Sequence, residues 1–308
     1  DAALANGEPV LWAPETSELP RHVIYSPDLI WRPIIDEQTA SLGSQISNTI
    51  QIKNSGTSYK KHNDTNAMTD QLPILMYHRI APTGKPSTDC YRVTPDAFEE
   101  QLRYLRDNGY YSTSLEDWHS AMERKRPLPG RAVIITFDDG YLDFLTHAWP
   151  LLKRYGFTAT VFIVADCVGR TNSWDSVYGE ELPLLGWEDI RQLQDEGVEF
   201  GSHTASHHYL TSLSPEEIVR EGASSRATLG HELGRIVKTF AYPYGDADGV
   251  VQHLIGACGY TFGLTCRHDL CSFHDNLLAL PRIEVMGTDS LQEFIAKLSF
   301  CLTQNIYK

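Results

Sequence analysis

The fold class is decided by Val133-Ile134-Ile135-Thr136-Phe137-Asp138-Asp139-Gly140, a run of apolar β-formers that ends in two carboxylates and a glycine. Such a run predicts a strand buried on both faces, as in parallel sheets and barrels, where active sites lie at the carboxyl ends of strands. Asp138 and Asp139 can serve one site only if the chain turns there, which Gly140 permits. Their mutual repulsion requires a nearby cation. The alternative is an acidic turn in which Asp139 caps the next helix.

Three histidines follow a second strand-like stretch, in Gly201-Ser202-His203-Thr204-Ala205-Ser206-His207-His208, and His203 and His207 are four positions apart. Imidazoles four positions apart fall on one face of a helix. Together with one carboxylate they form a ligand set that suits zinc or another divalent transition metal. A metal would let one aspartate bind the ion while the other acts as a base. The spacing alone also fits a polar, histidine-rich loop, but its combination with Asp138 and Asp139 favours the metal site.

A third segment, Phe240-Ala241-Tyr242-Pro243-Tyr244-Gly245, ends a strand in a turn. With these three segments the chain resembles the NodB-homology polysaccharide deacetylases, the carbohydrate esterase family 4 type. Thr136 to Gly140 matches the first family motif, His203 to His207 the second, and Pro243 to Gly245 the core of the third. The resemblance covers about residues 72 to 300.

The resemblance implies a fold, a reaction and roles for particular residues. The fold is α/β, a distorted (β/α)7 barrel, and the reaction is metal-dependent removal of N-acetyl groups from an amino-sugar polysaccharide. Asp138 resembles the general base, and Tyr244 resembles the residue whose backbone amide helps to hold the oxyanion. Asp139, His203 and His207 resemble the ligands of one divalent ion, with zinc expected before cobalt or nickel.

Two departures from the family pattern lead to two further assignments. The third motif usually begins with an arginine that pairs with the catalytic aspartate, whereas this chain has Ala241. We expect Arg282, in the strand-like segment 280–283, to orient Asp138 instead. The family's late Leu-x-His motif is also missing.

An early histidine replaces the missing late motif. His78 ends the apolar stretch that begins at Pro73, an arrangement that resembles the circularly permuted exopolysaccharide deacetylases acting on poly-N-acetylglucosamine. In a closed barrel the last strand lies beside the first, so moving it to the front preserves the site. His78 is therefore expected to be the general acid. A histidine satisfied by backbone partners at a strand end is the alternative.

Strand and helix patterns alternate across residues 71-308, which we interpret as the deacetylase domain. A helix is expected to begin after Thr94, and further helices are expected over 148–155, 187–196 and 215–229, each followed by a strand. Residues 1-70 are expected to form an N-terminal extension or linker of unknown role. Serine, threonine, asparagine, lysine and glutamine dominate its second half.

Aromatic side chains and charge indicate the kind of partner. Trp174, Tyr178 and Tyr242 are candidates for stacking on sugar rings, although each could equally be core packing. A net charge of −14 opposes binding to nucleic acid. No apolar stretch approaches the roughly 20 residues of a membrane span. We therefore expect an acetylated glycan as partner and an extracytoplasmic location, although a cytoplasmic one is compatible with the sequence. Protein partners are not indicated.

Two other functions fit the same motifs. One is hydrolysis of a small cyclic amide or imide, for which a closed pocket would be expected. The other is glycan binding on a scaffold that has lost activity, which only the missing arginine at position 241 favours. Hydrolysis of an acetyl ester also fits, because ester and amide cleavage share a tetrahedral intermediate.

Overall fold

A computed structural model of the protein describes residues 71–124, 126, 128, 130–178 and 181–303. The expected extension 1-70 lies outside these residues, so its division from the rest of the chain stays a prediction. In chain order the strands are β1 (Gln71–Leu72), β2 (Ile74–Tyr77), β3 (Arg79–Ile80), β4 (Arg92–Val93), β5 (Tyr110–Ser112), β6 (Arg131–Phe137), β7 (Thr160–Ile163), β8 (Glu199–Ser202), β9 (Thr239–Ala241), β10 (Phe262–Leu264), β11 (Cys271–Ser272) and β12 (Ile283–Glu284). The α-helices are α1 (Pro95–Asp107), α2 (Leu115–Glu123), α3 (Trp149–Tyr155), α4 (Trp187–Asp195), α5 (Pro215–Leu233), α6 (Gly249–Ala257) and α7 (Leu291–Thr303).

Seven strands of the described chain form a curled parallel sheet in the order β10-β9-β8-β7-β6-β2-β12. β5 pairs with the first part of β6. The segment before β12 bonds to β10, where the Leu280 amide donates to the Gly263 carbonyl at 2.8 Å. β12 itself pairs with β2, so the sheet curls back towards its first strand. This architecture confirms the predicted distorted (β/α)7 barrel of the NodB-homology type.

The main core lies between the sheet and its helices. Central strand residues such as Val133, Ile135, Val161 and Phe240 are fully buried, as the apolar runs predicted. Smaller two-stranded ladders join β1 to β11 and β3 to β4 outside the main sheet.

Local sequence signals set the helix boundaries. Thr94 caps α1 by accepting a hydrogen bond from the Ala97 amide, and Pro95 occupies the first turn. The helix α5 begins with the reciprocal capping box of Ser214 and Glu217 and ends at Gly234 in the left-handed conformation. α5 runs to Leu233 rather than to the expected residue 229. None of the described helices is long and apolar enough to cross a membrane.

Candidate active site

The two aspartates leave the end of β6 in different directions because the chain turns within the pair. Asp139 has a φ of 71° and Gly140 a φ of 73°, so the turn begins one residue earlier than the glycine alone suggested. A left-handed conformation is uncommon for a residue with a side chain and is often found at functional sites. The turn brings both carboxylates to one cavity of about 610 Å³.

Asp138 is held by a buried arginine from the far end of the chain. Nη1 and Nη2 of Arg282 each donate to one carboxylate oxygen of Asp138 at 2.7 Å, and Arg282 is 0 % exposed. Its Nε donates to the carbonyl of Thr265 at 3.0 Å, which fixes the plane of the guanidinium. Arg282 therefore pairs with Asp138, the carboxylate that an arginine at position 241 was expected to contact.

The charge of Arg282 decides the ionisation of Asp138. Burial raises the pKa of this carboxyl, but the Arg282 charge and the nearby His203 lower it more, so the pKa lies below its ordinary value. Asp138 is therefore a carboxylate at neutral pH.

Asp139 contacts two imidazoles instead. Its Oδ1 lies 3.4 Å from Nε2 of His203 and 3.1 Å from Nε2 of His207, and all three residues are buried. Burial raises the pKa of Asp139, but its close contacts with both histidines lower it more, so the pKa falls well below its ordinary value.

The same cluster has the features of a metal site. One ligand atom from each of Asp139, His203 and His207 lies within 4.8 Å of the others. The buried Oδ1 of Asp139 accepts no hydrogen bond among the described residues. Nδ1 of His203 is 2.8 Å from the carbonyl of Ala241, a contact that places the proton on Nδ1 and directs the lone pair of Nε2 at the cluster. A divalent cation of the zinc type fits these donors.

The two histidines differ in their response to burial. Burial lowers the pKa of His203, but contact with Asp139 and the charge of Asp138 raise it more, so the net shift is upward. In His207 burial outweighs the carboxylate, so its pKa lies below the ordinary value. A cation bound to these nitrogens would compete with the proton on His203.

The loop between the histidines is not helical, which corrects the expectation that both lie on one helical face. Thr204 and His207 have φ values of 67° and 66°. The hydroxyl of Thr204 accepts from the His207 amide at 2.8 Å, which closes a tight turn. Among the described residues, the non-glycine positions with positive φ are Asp139, Thr204, His207 and Tyr244, all at this site.

The carboxylate of Glu221, on α5, accepts hydrogen bonds from this loop. Oε2 of Glu221 accepts the amides of Ala205 and Ser206, both at 2.9 Å, and Oε1 accepts the Ser206 hydroxyl at 2.6 Å. Glu221 therefore anchors the segment between the two candidate ligands. Sequence reasoning missed it because no local pattern connects position 221 with the histidines.

The cavity wall contains several other predicted residues. His78 lines it, with its ring centroid 5.1 Å from that of Tyr91. Trp174 also lines it and stacks on His207 at 4.5 Å. Tyr244 stands at the rim, 43 % exposed, with its hydroxyl 3.2 Å from Nδ1 of His207.

One predicted sugar contact, Tyr242, does not line the cavity. Tyr242 is fully buried and its hydroxyl donates to the carbonyl of Leu278 at 2.8 Å, so the expectation that it lines the groove is wrong. Desolvation in this core position raises the pKa of its hydroxyl. Tyr178 ends the short 3-10 helix Ser173–Tyr178, but its side chain lies outside the described part of the structure and its role stays a prediction.

Aromatic side chains that the sequence analysis did not name also lie at the rim. Tyr209 is 52 % exposed and stacks on Tyr244 with ring centroids 3.8 Å apart and planes within 8°. Tyr91 is also exposed at the cavity. The position of Tyr209 directly after the histidine motif was the available sequence signal for its placement.

The curled parallel sheet with an Asp-His-His cluster beside an arginine-bound aspartate defines a class, the polysaccharide deacetylases. Residues 125–263 match the family model described as polysaccharide deacetylase. The chain therefore contains a polysaccharide deacetylase domain and is similar to enzymes of this family.

The relatives described here are 26–29 % identical to this chain over the aligned residues. YxkH of Bacillus subtilis is 29 % identical over 73 % of the chain and 77 % of its own length. The poly-β-1,6-N-acetyl-D-glucosamine N-deacetylase of Staphylococcus aureus is 26 % identical over 67 % of the chain and 72 % of its own length. The solved structure of IcaB from Ammonifex degensii superposes with a TM-score of 0.63 at 28 % identity, over 74 % of this chain and 97 % of that one.

Proposed function

We propose that the protein is a metal-dependent hydrolase that removes N-acetyl groups from an N-acetylated amino-sugar polysaccharide and releases acetate. The observation that carries this proposal is the difference in surroundings between the neighbouring residues Asp138 and Asp139. Asp138 is ionised and fixed by Arg282, while Asp139 joins His203 and His207 in an anionic cluster with an unsatisfied oxygen. A relative named for poly-β-1,6-N-acetyl-D-glucosamine N-deacetylation supports the substrate class.

The cluster Asp139, His203 and His207 would hold one divalent ion, and its two imidazoles and one carboxylate favour zinc over harder cations. Such an ion supplies Lewis acidity towards the acetamide carbonyl and towards a water molecule.

Asp138 acts as the general base that takes a proton from the attacking water. The lowered pKa of its carboxyl, caused by the Arg282 charge against the effect of burial, keeps it ready to accept a proton at neutral pH. Arg282 holds both carboxylate oxygens in place, so the base does not rotate away from the substrate.

His78 acts as the general acid that protonates the departing amine. Its ring lines the same cavity as Asp138, and general-acid assistance contributes roughly 10²–10⁴-fold to such reactions. The backbone amide of Tyr244, in its left-handed turn, donates to the oxyanion of the tetrahedral intermediate. The products are acetate and a free amino sugar.

A polymer of sugar rings suits the lining of the cavity. Trp174, Tyr209, Tyr244 and Tyr91 present aromatic faces around it, and sugar rings pack their apolar faces on such surfaces. A relative named for deacetylation of poly-β-1,6-N-acetyl-D-glucosamine supports action on a polymeric glycan, for which we infer an extracytoplasmic site. Residues 1-70 would then be an extension outside the catalytic domain 71-308.

The test measures acetate release from N-acetylglucosamine oligomers, in parallel with turnover of a monomeric cyclic imide. Both assays use protein stripped with a chelator and protein restored with zinc, cobalt or nickel. Acetate release that depends on the restored metal is the expected result. Turnover of the imide alone would replace the proposal with the small-amide reaction, and glycan binding without hydrolysis under any metal would leave a glycan-binding protein.

A further inference from the structure

Arg79 directly follows the proposed general acid and is only 6 % exposed. Its Nε donates to Oδ2 of Asp143 at 2.9 Å, and Oδ1 of the same carboxylate lies 3.3 Å from the Ile80 amide that donates to it. The guanidinium also lies over the ring of Tyr141, 5.6 Å from its centroid. One side of the guanidinium is therefore fixed by Asp143, which sets the direction of the other side.

The opposite side of this guanidinium has an unused donor. Nη1 of Arg79 is buried and has no hydrogen-bond partner among the described residues, and Arg79 lines the cavity that contains Asp138 and Asp139. Buried donors in folded proteins are nearly always paired, because an unpaired one loses its hydration without compensation. The unpaired donor therefore belongs to a side chain that lines the cavity.

We propose that Arg79 is a substrate-contacting residue whose Nη1 donates a hydrogen bond to an uncharged oxygen of the bound glycan. This inference rests on the proposed function. The acceptor is either a sugar hydroxyl or the carbonyl of an acetamido group, both of which offer lone pairs to a guanidinium.

The charge around Arg79 favours an uncharged acceptor over an anion. Asp143 already offsets the charge of Arg79, and four carboxylates line the cavity. Besides Asp138 and Asp139, these are Asp175 and Glu284. An anionic ligand would meet this negative field, whereas a neutral sugar oxygen would not.

The two possible acceptors have different consequences for the pattern of acetylation. A free amino sugar carries an ammonium group, which has donors and no acceptor. If Nη1 binds the acetamido carbonyl of a neighbouring sugar, prior deacetylation of that sugar weakens binding. If Nη1 binds a hydroxyl, prior deacetylation leaves this contact intact.

The experiment measures calorimetric binding of N-acetylglucosamine oligomers to metal-loaded Asp138→Asn protein, which holds the substrate without turning it over. Arg79→Met in this background is expected to weaken binding about ten- to a hundredfold, the range for hydrogen bonds to charged groups. Arg79→Lys is expected to weaken it as well, because one ammonium cannot serve Asp143 and the glycan together. Asp143→Asn is the matched control, since its amide oxygen can still accept from Nε of Arg79 and the free donor is kept, and it should weaken binding less than Arg79→Met does.

Three outcomes would overturn the proposal. The first is binding by both Arg79 variants within twofold of the parent, which would mean that a water molecule satisfies Nη1. The second is an equal loss in Asp143→Asn and Arg79→Met, which would assign Arg79 to the ion pair alone. The third is absence of oligomer binding by the parent. Failure of the proposed hydrolysis is distinguishable, because wild-type protein would then bind oligomers without releasing acetate. Oligomers with one free amino group identify which oxygen is bound.

Discussion

Asp138 and Asp139 are adjacent in sequence, equally buried in the same cavity, and yet opposite in their surroundings. Both oxygens of Asp138 receive hydrogen bonds from Arg282, so its charge is neutralised by the protein itself. Asp139 has a buried oxygen without a hydrogen bond and faces two imidazoles that supply lone pairs. The hydrogen bonds of Asp138 are satisfied without a ligand, whereas Asp139 is suited to bind one.

This difference shows how one strand end can supply two functions. The left-handed turn at Asp139 separates the two carboxylates, and each then obtains a different partner from a distant part of the chain. The chemistry of each aspartate follows from that partner. The predictions below test the comparison, from the largest expected effect to the smallest.

Replacing Asp139 or His207 by alanine should abolish metal binding and activity together. Each change removes a ligand from a three-residue set, and the Lewis acidity of a metal provides several kcal/mol, equivalent to about 10³-fold or more in rate. Metal content by atomic spectroscopy and acetate release check both losses. His208→Ala is the matched control, because His208 is exposed and outside the cluster. Stoichiometric metal in Asp139→Ala protein would contradict the ligand assignment.

Asp138→Asn should keep the metal and lose turnover by roughly 10²–10⁴-fold, since the amide cannot take up the proton. His78→Ala should also keep the metal and slow cleavage of the amide. Equilibrium dialysis with zinc and steady-state kinetics on the same preparations separate the two properties. Near-normal turnover of Asp138→Asn would assign the base elsewhere, and an unchanged rate for His78→Ala would remove it as the acid.

Arg282→Met should move the acidic limb of kcat/KM to higher pH. Burial then raises the pKa of Asp138 without the opposing arginine charge, so the base becomes protonated at a higher pH. The uncompensated buried carboxylate should also cost about 3–5 kcal/mol in the free energy of unfolding. A pH series of initial rates and denaturant unfolding at neutral pH measure the two effects. Combining Arg282→Met with Asp138→Asn should restore part of the stability. An acidic limb of kcat/KM at the same pH in Arg282→Met and wild type would exclude Arg282 from the site.

The native pair has its own pH dependence of stability. The pKa of Asp138 is depressed in the folded protein, so its contribution to stability is present above the ordinary carboxyl value of about 3.9. That contribution is lost as the pH falls through the lower folded-state value. In Arg282→Met the folded-state pKa is raised relative to wild type, so this source of acid sensitivity should be absent from its unfolding curves.

Glu221→Gln should weaken metal binding by about 10–100-fold, the usual cost of changing a group that orients metal ligands. Glutamine offers one acceptor oxygen, whereas Glu221 uses both oxygens to hold the loop at Ala205 and Ser206. Competition with a zinc chelator measures the affinity, and the melting temperature checks the fold. Glu217→Gln on the same helix is the control. Equal zinc affinities in both variants would limit Glu221 to a structural role.

Tyr209→Ala should have the smallest effect, an increase of about tenfold or less in KM for glycan oligomers. Aromatic pairs contribute about 0.5–1.5 kcal/mol beyond buried area, and the stack of Tyr209 on Tyr244 would be lost. Kinetics on oligomers of increasing length are the measurement, with Tyr209→Phe expected to behave as wild type. A change in kcat without a change in KM would argue against a sugar platform.

The sequence predicted the fold and the relation between the two aspartates because their signals are local or regular. Apolar runs gave the strands, and residues at strand ends converge in a parallel sheet. Arg282 was predicted because the family that the chain resembles has an arginine at the position of Ala241, and the structure brings the guanidinium of Arg282 to Asp138. His78 lines the same cavity.

Other features depend on geometry that residue spacing does not encode. The His203 and His207 side chains converge through two left-handed residues, although the four-residue interval suggested a helix. Tyr242 and Tyr244 are both near the third motif, but the 3-10 turn Pro243–Gly245 buries one and exposes the other. Glu221 acts across 15 positions in sequence from Ser206, which only the packing of α5 reveals.

The Asp138–Arg282 pair joins residues that are 144 positions apart in the chain. Closing a loop of this length carries an entropic cost that local contacts do not repay, so such pairings form late in folding. During synthesis, all three candidate ligands would leave the ribosome well before residue 282. The surroundings of Asp138 are therefore complete only after residue 282 has been made, and a product truncated before it would keep all three candidate ligands without the arginine that holds the proposed base.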